Sequence, residues 1–410
     1  MSRWTTDPPL GRRDLLAAGG TALAGVASSL AGCSALPPLG ERVQYGRVDA
    51  PEPAAPMYRE WLPAPSALPD DASSTLQDGY GLTTSTPSKL RESVLGARPT
   101  LPGAFVTGTL DYFGVGVENY DFLLYTGDVA VLEGTVDLDV VAAALEGTGY
   151  ERADSVAGYD LFTRSDVPRA VGVRDGRLLF SRGTAPTTDI RIVEETRRGE
   201  YPPYHERNAA FETLSSAVGA RPWTSFSLRH PSAREDGDPI GVGDSLDYDD
   251  DSVYSYHVLL YPDDVDVTER RIKQRLAEWG RALASLSVDI EIDGQLAIVE
   301  MQLSHERYEQ DVAVSRDPVP QITWGAEFDL GTDRVTFRHE AGDPVETDRL
   351  EVRWDGEVDQ SPFADPPERV EPGDSLTIPR KGRSSRGSVF LSYRSADEKL
   401  LTPLLNYGLA

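Results

Sequence analysis

Leu286, Val288, Ile290 and Ile292 alternate strictly with polar residues, and Asp293-Gly294 then turns the chain into the apolar run at 296–303. A period of two puts the four aliphatic side chains on one face of a strand. Asp-Gly supplies the two positions that tolerate positive φ, which a tight hairpin requires. The chain is thereby committed to antiparallel pairing over this stretch. The same device stands earlier, where Asp175-Gly176 separates Ala170-Val171-Gly172-Val173 from Leu178-Leu179-Phe180. Shorter strand-like runs at 122–125 and 129–132 flank Thr126-Gly127-Asp128, and further strands are expected at 159–162, 223–228 and 254–261.

Helical periods lie between these strands. Asp137 is placed to cap a helix over 138–146, with Leu138, Val141, Ala142 and Leu145 on one face and Gly147 and Gly149 beyond its end. Two more helices are expected over 187–198 and 207–218. The longest covers 268–284, where Ile272, Leu276, Trp279 and Leu283 form one apolar stripe. Strand, helix and Asp-Gly hairpin thus occur twice in the same order. The expected class is α+β, an antiparallel sheet with helices in two related units, about 57–230 and 250–310, within a domain at 57–315. Residues 58–65 read as an extended entry segment and 316–322 as a linker. Strand runs at 335–339, 350–354, 375–378 and 389–393, spaced by turn residues, predict a small C-terminal β-sandwich over 323–410.

The first 33 residues read as an address. Arg12 and Arg13 precede an apolar stretch that ends in Leu30-Ala31-Gly32-Cys33, and Cys33 is the only cysteine in 410 residues. One cysteine excludes an intramolecular disulfide framework and every cysteine-cluster metal site. The twin arginines resemble a Tat export signal, and Leu30, Ala31, Gly32 and Cys33 resemble a lipobox, which implies cleavage before Cys33 and its lipidation. Residues 34–56, with Pro37, Pro38, Pro51, Pro53 and Pro56, are expected to form a tether. The formal charge is −27, and only Lys89, Lys273, Lys381 and Lys399 among the 40 basic residues are lysines. Together with the lipobox, this composition resembles haloarchaeal lipoproteins, whose acidic surfaces suit molar salt, where the screening length shrinks to ~3 Å. The acidity also makes nucleic acid a poor partner. The strand and turn pattern of residues 333–408 resembles the β-domain of haloarchaeal type IV pilin-like proteins, although the hydrophobic assembly helix of pilins is replaced here by the Tat lipobox.

Chemistry is sparse in the sequence. His205, His230, His257, His305 and His339 show no zinc-binding spacing and read as scattered surface or interface residues. There is no Gly-x-Ser-x-Gly elbow, and Gly241-Val242-Gly243 reads as part of an acidic loop, not a phosphate loop. The acidic run Asp247, Asp249, Asp250 and Asp251 is a weak calcium candidate whose spacing departs from an EF-hand. Arg380, Lys381, Arg383 and Arg386 form a basic cluster that could contact an acidic partner or lipid headgroups. No cofactor is expected. The sequence therefore leads to a lipoprotein held through Cys33 on the outer, extracellular face of the cytoplasmic membrane, with membrane lipid and a surface protein as partners. Its expected role is a non-enzymatic binding or structural module of the archaeal cell envelope. The alternatives are an extracellular enzyme whose site converges from distant residues, or an accessory of a pilus-like filament.

Overall fold

The computed structural model describes residues 44–410 apart from 71, 74–80, 93–105, 230–234, 280–286, 307, 309–318, 356, 360–361, 364, 381–386, 397, 399 and 409–410. The export signal and lipobox lie outside the described residues. Residues 43–410 form one compact unit.

Its centre is a single thirteen-stranded sheet. The strands are β1 (Gln44–Tyr45), β2 (Gly81–Ser85), β3 (Phe122–Tyr125), β4 (Val129–Glu133), β5 (Glu151–Val156), β6 (Tyr159–Arg164), β7 (Arg169–Arg174), β8 (Arg177–Ser181), β9 (Trp223–Leu228), β10 (Gly241–Tyr248), β11 (Ser252–Leu260), β12 (Ser287–Asp293) and β13 (Leu296–Ser304). They lie in the order β1-β12-β13-β11-β10-β9-β2-β3-β4-β8-β7-β6-β5. Every pair is antiparallel except β1 with β12. The class is α+β. Strands from both expected units fall in this one sheet, so the two stretches share a continuous ladder.

The local signals act where the sequence placed them. Gly176 and Gly294 adopt φ of 68° and 57°, which closes the two Asp-Gly hairpins. Asp137 Oδ1 accepts from the backbone N–H of Asp139 at 3.0 Å and of Val140 at 3.3 Å, capping the helix Leu138–Glu146. Hairpin, helix, hairpin recurs: β3–β4, helix 138–146 and β7–β8 in one half, then β10–β11, helix Glu269–Trp279 and β12–β13 in the other. In each half the final hairpin lies beside the first in the same order, β3-β4-β8-β7 and β10-β11-β13-β12.

The two faces of the sheet are built differently. One face is closed by the helices Pro186–Arg197 and Ala209–Val218 over a continuous core. Leu82, Leu124, Val131, Leu179, Phe226 and Val258 meet Ile190, Val193, Phe211 and Leu214 there. Gly243 permits the approach of helix 209–218, since a Cβ at that position would lie 2.3 Å from Val218 Cγ2. The opposite face carries two separate cores. Helix 138–146 sets Val141 and Leu145 against Tyr125, Leu132, Val171 and Phe180. Helix 269–279 sets Ile272 and Leu276 against Leu246, Val253, Leu259 and Val299. Each fully buried Leu, Val or Phe contributes ~1.5–3 kcal/mol.

Three expectations are corrected here. The tether expected over 34–56 is instead packed on the body from Gln44 onward. Val48 is buried beside Tyr254 and Tyr256, Ala54 bridges Ala220, and the Pro51 carbonyl accepts from Arg221 Nη1 at 2.7 Å and from Tyr256 Oη at 3.2 Å. Prolines are excused from donating N–H bonds, and here they run as an extended strap on the body. The entry segment at 58–65 contains 3₁₀ turns, Met57–Trp61 and Pro65–Ala67, with Tyr58 and Trp61 buried. Gly241-Val242-Gly243 is the start of β10 and not a loop.

The C-terminal strands are β14 (Ile322–Asp329), β15 (Arg334–Gly342), β16 (Val345–Glu346), β17 (Leu350–Trp354), β18 (Glu357–Asp359), β19 (Arg369–Val370), β20 (Ser375–Pro379), β21 (Ser388–Arg394) and β22 (Leu401–Gly408). They form sheets β14-β15-β20, β16-β19 and β18-β17-β21-β22. Trp324, Phe337, Trp354, Ile378 and Leu391 share one core, into which Val167 from the β6–β7 turn inserts. The last part of the expected linker is itself packed. Gln321 is buried and its Nε2 donates to the Asp111 carbonyl at 2.7 Å, while the backbone N–H of Tyr112 donates to Thr323 Oγ1 at 2.9 Å.

Candidate functional site

Between the two cores of the divided face the sheet turns polar. Strand pairing places Thr83 opposite Ser225, Ser225 opposite Asp244, and Asp244 opposite His257, so four strands contribute one row of polar side chains. Period-two geometry explains the placement. Leu82, Phe226, Gly243 and Val258, each next in sequence, face the closed core, which turns Thr83, Ser225, Asp244 and His257 the other way. Ser255 lies two residues before His257 on the same face. Polar groups in such a position need hydrogen-bond partners, and here they find one another. Thr83 Oγ1 donates to Ser225 Oγ at 3.5 Å. His257 Nδ1 is in close contact with Asp244 Oδ1, and Ser255 Oγ lies 3.4 Å from His257 Nε2.

An ionised carboxylate only accepts, so Nδ1 carries the proton toward Asp244, and Nε2, wherever it carries no proton, accepts from the Ser255 hydroxyl. The imidazole is 2% exposed and the Asp244 carboxylate 30%, so the row reaches solvent at its carboxylate. Aspartate, histidine and serine in this sequence of contacts can move a proton from the hydroxyl to the ring. What surrounds Ser255 differs from a hydrolase nucleophile. β11 is paired on both sides, with β10 and β13, and its N–H groups are engaged in those ladders. Backbone donors of the kind that stabilise an oxyanion are therefore committed to the sheet at this position.

Four other buried charge clusters hold the fold. Glu194 is fully buried, and it accepts from Tyr159 Oη at 3.0 Å, Arg198 Nε at 3.0 Å, Arg197 Nη2 at 3.2 Å and Arg174 Nη1 at 3.3 Å. Burial raises its pKa, but the hydrogen bonds from Arg197 and Tyr159 outweigh this and hold the carboxyl below the ordinary range. Asp111 pairs with Arg169 and accepts from Tyr150 Oη at 2.7 Å; burial first, and then the Asp111 charge, pushes the phenol well above its usual value. Arg164 grips Asp166 at 2.8 and 2.9 Å and reaches Glu340 at 3.0 Å, while Arg338 meets Asp166 at 3.0 Å, which joins the large sheet to the C-terminal strands. Asp189 accepts from Ser73 Oγ at 2.5 Å and Ser181 Oγ at 2.9 Å.

The candidate residues from the sequence are dispersed. Asp247 lies by Arg221 at 3.5 Å and accepts from the Tyr248 N–H at 2.9 Å; burial raises its pKa against those two contacts. Asp249 accepts from the N–H groups of Asp251 and Ser252 at 2.9 and 2.8 Å and from Tyr254 Oη at 2.7 Å, so it organises the β10–β11 turn. Asp250 and Asp251 are exposed on that turn. Among the described residues no group of three or more His, Cys, Asp or Glu converges on a metal position, and Asp247 and Asp249 spend oxygens on the turn and on Arg221. Arg380 pairs with Asp333 at 2.7 Å and lies 5.4 Å from the Phe328 ring, while Lys381, Arg383 and Arg386 lie outside the described residues. So do Arg12, Arg13, Leu30, Ala31, Gly32 and Cys33. His339 is fully buried, its Nε2 2.8 Å from the Asp343 carbonyl, and burial lowers its pKa. The sequence offered one signal for the row that the histidine survey passed over: Ser255-x-His257 within a period-two strand.

No family model and no curated protein matches the chain. Solved structures similar to it include "Structure of crystal form III of TP0453", 8% identical over 65% of this chain and 98% of that one, with a TM-score of 0.39. Another is "Structure of crystal form I of TP0453", 11% identical over 57% and 93% of the two chains, with a TM-score of 0.36.

Proposed function

We propose that this chain is an exported lipoprotein, held at the outer face of the cytoplasmic membrane through Cys33, whose body is a non-enzymatic binding module of the cell envelope. The observation that carries the binding role is the Thr83–Ser225–Asp244–His257 row, a polar, partly open strip set between two apolar cores on one face of the sheet. Burying such groups costs stability, and a ligand surface is a use that offsets the cost. The short span between Cys33 and the strap supports the anchored reading. The ten residues 34–43 reach at most ~36 Å, so a lipid on Cys33 would keep the body close to the bilayer.

The finer reading of the fold belongs to the same proposal. The matching orders β3-β4-β8-β7 and β10-β11-β13-β12, each with a helix on the divided face, support two related units, and the shared core of the C-terminal strands supports a β-sandwich.

Recovery of the full chain from native membranes in high salt, with Cys33→Ser as control, tests the anchor. A lipid on Cys33 and a partner that remains bound in wild type but is lost in Asp244→Asn are the expected results. A chain whose Cys33 is unmodified and whose N-terminus is intact overturns the anchor. A second reading, a hydrolase, is favoured by the Asp244–His257–Ser255 contacts alone. Exposure to a fluorophosphonate decides it: labelling of Ser255 that disappears in His257→Gln would replace the binding role with acyl transfer.

A further inference from the structure

The large sheet ends differently on its two sides. At one end β5 is blunted: its pairing with β6 shifts register between Ala153 and Val156, and Glu151, Arg152 and Asp154 stand exposed on it. A bulge and charges on an outer strand discourage further pairing. At the other end β12 pairs with β13 along its seven residues with no shift, and β1 covers only Ser287 and Val288 of its outer side. The Gly46 N–H donates to the Val288 carbonyl at 2.9 Å, so Val288 turns its backbone groups outward. Backbone direction alternates along a strand, and Ile290 and Ile292 therefore turn theirs outward as well. Among the described residues none bonds to them on that side. A regular, unblunted edge is left open beyond the end of β1.

We infer that residues 289–293 accept a strand from a partner protein, one that alternates aliphatic residues with lysine or arginine. β1 shows what an added strand does at this edge. Tyr45 stands opposite Val288 and shares its face, where the Lys273 ammonium of helix 269–279 lies 3.8 Å from the Tyr45 ring. Ile290 and Ile292 continue that face, half-buried against the core under the helix, so aliphatic side chains on an incoming strand extend the same core. The other face of the edge is acidic, with Asp289, Glu291 and Asp293 along it. Glu291 is already engaged, so the sign of the partner rests on Asp289 and Asp293, neither of which forms an ion pair among the described residues. That sign also excludes a second copy of this chain. Outward-facing groups sit on even-numbered residues, so any antiparallel self-pairing matches even with even and odd with odd. The three acids would then oppose one another, and like charges directly opposite destabilise a ladder. Lysine or arginine at those positions makes the same geometry favourable. The edge is separate from the polar row, since β13 lies between β12 and the nearest strand of that row.

The test is isothermal titration of the full chain, purified from membranes, with the blocked heptapeptides KVKIRVK and EVEIEVE. KVKIRVK is expected to bind saturably and about 10-fold more tightly than EVEIEVE. Replacing both aspartates, Asp289→Lys with Asp293→Lys, should reverse that preference. Ile290→Pro removes one outward N–H, a change that an edge strand tolerates, and should weaken KVKIRVK binding about 10-fold. This second variant separates strand addition from the general attraction of a basic peptide to a chain of formal charge −27, which proline would leave intact. Thermal unfolding checks that both variants are folded; if Ile290→Pro is not, the charge-reversed chain decides. Equal or tighter binding of EVEIEVE to wild type overturns the inference, as does the absence of saturable binding by either peptide. KVKIRVK binding that is unchanged in either folded variant overturns it too, because the peptide then lies elsewhere. Sedimentation of the chain alone closes the remaining route: a dimer that dissociates in Ile290→Pro would give the edge to a second copy and overturn the partner strand.

Discussion

The two faces of the large sheet share the same strands and yet solve different problems. On the closed face, apolar residues from the two halves of the sheet merge into one core under helices 186–197 and 209–218. On the divided face, helices 138–146 and 269–279 each cover only their own half, and a polar row fills the seam. Stability is therefore concentrated on one face, while the other can hold groups that packing alone would reject. A strand such as β9 shows the division residue by residue: Phe226 enters the closed core, and its neighbours Ser225 and Ser227 face the seam.

Neighbouring substitutions on β9 test this contrast most sharply. Phe226→Ala should cost about 3–5 kcal/mol in denaturant unfolding, because it opens a cavity in the closed core. A loss below about 1 kcal/mol would mean that the core is not continuous. The next effect in size concerns Glu194. Glu194→Gln removes the charge shared by Arg174, Arg197 and Arg198, whose side chains are 32%, 29% and 39% exposed. That partial exposure reduces the penalty to about 2–3 kcal/mol, below that of a wholly buried pair.

The same carboxylate gives a pH dependence. Glu194 and Asp166 titrate below their ordinary values in the folded protein, so the unfolded chain binds protons first as the solution is acidified. Their contribution is fully present above the ordinary carboxylate range and is lost as the pH falls through the depressed native values. Unfolding free energy measured from pH 6 downward should fall less steeply in Glu194→Gln than in wild type, and identical acid limbs would remove Glu194 from the account.

Changes on the divided face should be milder. Asp244→Asn leaves His257 with a weaker partner and is expected to cost about 1 kcal/mol by thermal unfolding. Ser225→Ala should stay within about 0.5 kcal/mol, as expected away from cores and charge networks. If it destabilised the protein as much as Phe226→Ala, the distinction between the two faces would fail.

The elements read correctly from sequence are those specified by neighbouring residues. Asp175-Gly176 and Asp293-Gly294 carry their turn geometry in two positions, and Asp137 caps the helix that follows it through N–H groups two and three residues away. β10 escaped notice because Gly241, Gly243, Asp244 and Asp247 break the apolar alternation that marks a strand. Its residues answer to what lies across from them: Gly243 makes room for Val218, and Asp244 meets His257, 13 residues further along. A contact of that kind depends on the β10–β11 register, which only the folded ladder sets. The strap was hidden for a related reason. Five prolines between 34 and 56 describe a stiff, extended chain equally well whether it is solvated or laid against a sheet, and the deciding partners, Ala220, Arg221 and Tyr256, come from far along the sequence.

The strap also has a mechanical consequence. Tension applied from the N-terminal side enters the body at Gln44 and Tyr45, whose pairing with Ser287 and Val288 is only two residues long. Behind them stand the Arg221 bond to the Pro51 carbonyl and the Ala54–Ala220 bridge. If these grips yield in turn while the core stays folded, residues 44–56 would let out about 43–47 Å of chain. The N-terminal segment would then behave as a sacrificial extension, lengthening under load before the sheet itself is pulled apart.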